Sequence, residues 1–89
     1  MDFRWNSWNI DHLADHGVLP AEAEWVATHA RAPFPERREK GKWMVKGTTQ
    51  SGRFIQVVLV FEPDEVVFVI HARQLTEHEK HQVRRRWRR

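Results

Sequence analysis

The chain has 89 residues with five Trp, five Phe, no cysteine and a formal net charge of +3. That length makes a single domain (1–89) near the lower limit of what folds without staples. The missing cysteine excludes disulfides, thiolate nucleophiles and Cys-ligated zinc. No apolar run is long enough to span a membrane, and MDFRWNSW lacks the pattern of a signal peptide, so a cytoplasmic setting without membrane attachment is expected. The charge is concentrated at one end: from Glu77 onward six Lys/Arg stand against two Glu, which leaves residues 1–76 slightly acidic.

Phe3-Arg4-Trp5 reads as a short strand leading into a helix, with Asn6 or Ser7 as its cap and Gly17 as its stop. Ile10, Leu13 and Ala14 share one helical stripe and are expected to face the core. Asn9, His12 and His16 form a second stripe, within about 60° of one another. Pro20 opens a second helix through AEAEWVATHA, with Val26, Ala27 and Ala30 on its buried side, and Pro33 and Pro35 close it. KWMVKG alternates Lys42, Met44 and Lys46 against Trp43 and Val45, the pattern of a half-exposed strand. TTQSG is a turn, RFIQVVLVFE a β-branched strand, EPDE a second turn and VVFVIHAR a last strand. Thr76 and Glu79 then match a capping box and start a basic helix over 76–89, ending VRRRWRR. The expected architecture is α+β: a small antiparallel sheet of three to four strands, packed by two N-terminal helices and a C-terminal helix.

A tight turn at 63–64 would pair Glu62 with Glu65, setting Gln56 opposite His71 and Phe54 opposite Arg73. One face of that hairpin would carry Ile55, Val57, Leu59, Phe61, Val66, Phe68, Ile70 and Ala72, all apolar. The other would carry valines and then turn polar at Gln56, His71 and Arg73.

Those polar residues are the first candidates for chemistry. Arg73 and Arg53 suit a phosphate, because a guanidinium fork matches two phosphate oxygens and stays charged. Each could equally close a salt bridge, Arg73 with Glu79 among others. His71 suits proton transfer near neutral pH, or a plain hydrogen bond to Gln56. His12 and His16 have the spacing to share a metal, but no His-Glu-x-x-His motif and no third ligand accompany them, so neither metal nor cofactor is expected. Lys42, Lys46, Arg84, Arg85 and Arg86 are candidate phosphate contacts, against the simpler alternative of a solvated basic surface.

The order Trp5-Asn6 with Asn9, His16-Gly17-Val18, Glu22-Ala23, Gly52-Arg53 with Val57-Val58, and Ile70-His71-Ala72-Arg73 with Thr76 and Glu79 resembles the BrnT family of type II toxins. The resemblance covers nearly the whole chain. It implies a RelE-like fold and a metal-independent endoribonuclease toxin, neutralised by a ribbon-helix-helix antitoxin of the BrnA kind. It also implies that His16 belongs to the RNA site with His71, Arg73 and Arg53. The family's usual pattern has serine where His71 stands and lysine where Asp15 stands. A non-catalytic RNA- or protein-binding module on the same scaffold is the alternative.

Overall fold

Two β-branched runs, FIQVVLVFE and VVFVIHARQ, form the longest strands, and the remaining elements are arranged around them. The computed structural model describes residues 1–88. In chain order it contains β1 (Asp2–Arg4), α1 (Ser7–Ala14), α2 (Pro20–Thr28), β2 (Glu36–Arg37), β3 (Lys42–Thr48), β4 (Phe54–Glu62), β5 (Val66–Gln74) and α3 (Glu77–Trp87). The class is α+β. The sheet has five strands rather than three or four, in the order β1-β5-β4-β3-β2, and it is mixed: β1 runs parallel to β5 while the other pairs are antiparallel. The first strand occupies the edge of β5 that is not paired with β4.

The β4–β5 hairpin departs from the expected register twice. Pro63, Asp64 and Glu65 make a three-residue turn in which Asp64 and Glu65 take left-handed backbone angles, so Glu62 pairs with Val66 instead of Glu65. An odd turn inverts the faces. Val67 and Val69 are therefore the buried residues of β5, Val66 and Phe68 lie on the other face, and Phe61 is 52% exposed. A β-bulge then inverts them again. Leu59 pairs with Val69 but Val58 pairs with His71, leaving Ile70 as the extra residue. Beyond it Ala72 is buried, and Gln56 faces Arg73, not His71.

The inner face carries Val45, Ile55, Val57, Leu59, Val67, Val69 and Ala72, and Leu13, Val18, Ala23, Val26 and Ala27 close over it in one cluster. The other face is partly covered by α3, whose Trp87 stacks on Phe54 at 6.0 Å and whose Val83 is 1% exposed. Thr76 caps α3 and exchanges the two hydrogen bonds of a capping box with Glu79. Arg89, the last residue of the expected helix, lies outside the described residues.

Helix α1 sits on the β5 edge where β1 stops. Leu13 is buried as expected, but Ile10 is 39% exposed and Ala14 is also exposed, so the inward stripe is Asn9 and Leu13. Asn9 is fully buried and satisfied: its amide nitrogen donates to the carbonyls of Arg4 and Val69, and its oxygen accepts from the Asn6 N–H. One side chain thus ties the end of β1, the start of α1 and the open edge of β5. Asn9→Ala is expected to cost about 2–4 kcal/mol in urea unfolding, since it strands the buried Val69 carbonyl, releases the part-buried Arg4 carbonyl and leaves a cavity. Asn9→Asp should be no milder, because a carboxylate cannot donate to either carbonyl.

Candidate functional site

The outer sheet face reads as cross-strand rows. Lys46, Gln56 and Arg73 form one row, Met44, Val58 and His71 the next, and Lys42, Val60, Phe68 and Arg4 the third. Two strand spacings, about 10 Å, separate the lysines from the β5 residues. The structure therefore brings Lys42, Lys46, His71 and Arg73 onto one surface. Among the described residues neither lysine forms an ion pair.

Beside this face stands an aromatic ridge from α1 and the turn after it. Trp8 stacks on His12 with centroids 4.4 Å apart, and on Phe68 at 6.0 Å. His16, in the turn closed by Gly17, meets the ring of His71 edge-on at 4.8 Å. The bulge makes this meeting possible: Phe68 and His71 are three residues apart, and only an inserted residue lets both project to the side of α1. Partial burial lowers the His71 pKa below its ordinary value, and the neighbouring His16, Arg73 and His12 lower it further. Among the described residues no carboxylate pairs with His71 itself. The His71 imidazole is neutral at pH 7 and lies beside the Arg73 guanidinium, as a proton acceptor beside a bound anion would need to be.

Arg73 and Arg53 are not brought together, and both are already engaged. Arg73 forms a two-pronged pair with Glu79, both contacts 2.8 Å, and also reaches the Gln74 carbonyl at 3.1 Å. The salt-bridge alternative thus describes its present partner, and the pair locks the end of β5 to the first turn of α3. Its side chain remains one-third exposed and places a fixed positive charge beside His71. Arg53 lies off the face: it donates to both oxygens of Glu22 at 3.0 Å and to the Gly17 carbonyl. Glu22 also accepts from the Leu19 N–H at the start of α2. Arg53 therefore clamps the turn that carries His16, and it acts on the site only through that turn.

The tail arginines line a different part of the same face. A surface pocket between β3 and α3 is bordered by Lys46, Arg85, Arg86, Phe34, Gln82 and Val83. Arg86 is paired with Glu36 at 2.9 Å, and Arg84 lies over the Phe54 ring at 4.8 Å. Arg85 has no ion-pair partner among the described residues. Among those residues no group of three or more His, Cys, Asp or Glu is placed to hold a metal ion, and no helix is long and apolar enough to cross a membrane.

Sequence reasoning identified His71, Arg73 and the two lysines but not Trp8 or Phe68. Trp8 falls on neither stripe expected for the first helix and carries no signal of its own, and the odd turn that turns Phe68 outward leaves no mark in the hydrophobic pattern. No protein-family model, curated protein or solved structure matches the chain.

Three outcomes test the geometry. His71 should titrate below 6.5 by NMR, and His16→Ala should raise its midpoint, because one positive neighbour is removed. Glu79, held at about 2 by Arg73 and its cap contacts, contributes stability that is complete above its unfolded pKa, about 4.3, and fades as pH falls through its folded value. Glu79→Gln keeps the cap and removes the charge. It should cost about 1–2 kcal/mol at pH 7, with the difference from wild type disappearing by about pH 2. Arg53→Lys should unfold at lower urea than wild type, because lysine lacks the fixed fork that sets one nitrogen on Glu22 and another on the Gly17 carbonyl.

Proposed function

We propose that the chain is a metal-independent endoribonuclease of the BrnT, RelE-like kind, acting as the toxin of a type II pair. The observation that carries this reading is the outer face itself. A neutral imidazole touches a second imidazole, a guanidinium lies two residues along the same strand, and two lysines stand across the sheet. RNA is cut when its 2′-oxygen attacks the adjacent phosphorus, the bond to the 5′-oxygen breaks and a 2′,3′-cyclic phosphate forms. The reaction needs a group to take the 2′-hydroxyl proton, positive charge on the phosphorane and a proton for the departing oxygen. His71 takes the 2′-hydroxyl proton, solvent water at the open face gives a proton to the departing 5′-oxygen, Arg73 stabilises the added charge with His16 beside it, and Lys42, Lys46 and Arg85 hold the flanking backbone. Arg53 is a positioning residue in this scheme. The partner is a ribbon-helix-helix antitoxin that covers the same face.

Cleavage of a single-stranded RNA in the presence of a chelator tests the reading. His71→Ala and Arg73→Ala are each expected to reduce the rate at least a hundredfold, with circular dichroism unchanged in the His71 variant. Undiminished cutting in both would remove the site. Salt-sensitive RNA binding with no cutting by the wild type would favour a binding module instead.

A further inference from the structure

The exposed indole of Trp8 is not used by the chemistry just described. A side chain of this size at 50% exposure on a small domain exposes considerable apolar surface. Trp8 is also not free to move, since His12 stacks on it with rings inclined 26° and Phe68 stacks on it with rings inclined 18°. A flat π-surface fixed in advance loses little rotamer entropy when something binds to it.

The position of the indole narrows what that ligand is. Trp8 lies at one end of the ridge whose other end is the His16–His71 contact, and Phe68 and His71 are drawn to the same side by the bulge. The Phe68 row has Lys42 at one end and Arg4 at the other, and the Arg4 guanidinium lies over the Phe68 ring at 4.2 Å. An aromatic plate bordered by cations fits a ligand with a flat, neutral part joined to an anionic one. An unstacked nucleobase and its phosphate have that form. A base within a duplex does not, because both of its faces are occupied.

We infer that the exposed part of the Trp8 indole, held in place by Phe68 and His12, is a stacking platform for one unpaired base of a single-stranded RNA, next to the phosphate held at His71 and Arg73. The inference rests on the nuclease reading for the placement of that phosphate. Recognition here is by the face of the base and not by its hydrogen-bonding edge, so it tolerates all four bases and favours purines for their larger area.

The test uses the full chain and a short single-stranded RNA, with a set of matched oligonucleotides each carrying one abasic position. Trp8→Phe keeps a π-face, Trp8→Leu keeps apolar bulk without one, and unfolding curves confirm that both variants fold. Trp8→Leu should weaken binding about tenfold or more while Trp8→Phe stays within a few-fold of wild type. A single abasic position should cause a similar loss in wild type and no further loss in Trp8→Leu. If wild type cleaves RNA and Trp8→Leu binds and cleaves equally well, the platform is wrong and the nuclease reading stands. If binding depends on Trp8 and on one base but no cleavage occurs, the platform stands and the nuclease reading falls. Equal loss in the Phe and Leu variants, or Trp8-dependent self-association without RNA binding, overturns the platform.

Discussion

One inserted residue, Ile70, decides which chemistry this surface can present. A strand shows alternate side chains to opposite layers, so without the bulge Phe68 and His71 could not share a side, and Ala72 could not be buried after Val69. The bulge also increases local twist, which turns the end of β5 toward α1. The hydrophobic core tolerates the irregularity because Ala72 restores the inward pattern just beyond it.

The two arginines divide the work of holding that geometry. Arg73 binds the end of the last strand to the first turn of the last helix through Glu79, and Arg53 binds the turn between the first two helices through Glu22. Both pairs are partly shielded; Arg73 meets Glu79 with two nitrogens, the arrangement in which an ion pair is worth most among surface contacts, while Arg53 meets Glu22 through one nitrogen and gives the other to the Gly17 carbonyl. Each also fixes a histidine: His71 lies two residues before Arg73, and His16 directly precedes the Gly17 carbonyl that Arg53 grips. The imidazoles meet because their supports are rigid, not because either is drawn to the other.

Local signals in the sequence were legible where a single interaction governs the outcome. The Asn6 cap, the Gly17 stop with its positive φ, Pro20 at a helix start and the Thr76–Glu79 box were all readable, since each depends on residues within one turn. The strand order was not. Nothing near Asp2 announces a parallel partner at Val66, and a sheet edge is filled by whichever segment the chain can carry there. The hairpin faces were misread for a related reason. Turn length and bulges change parity without changing composition, and a valine-rich strand looks the same with either face inward. Asn9 shows the limit most clearly, because a polar residue in an apolar stripe reads as exposed unless the orphaned carbonyls it must satisfy are already known.

The parallel pairing of β1 with β5 carries a consequence for how the domain comes into being. Synthesis delivers α1 and its tryptophan early, but the edge on which they dock is made only when the last third of the polypeptide emerges. Until then the first segment has no sheet to join, and contacts between residues more than sixty positions apart are slow to close. A nascent chain stopped before the final hairpin therefore contains His16 but not the His71 ring that it meets in the folded domain.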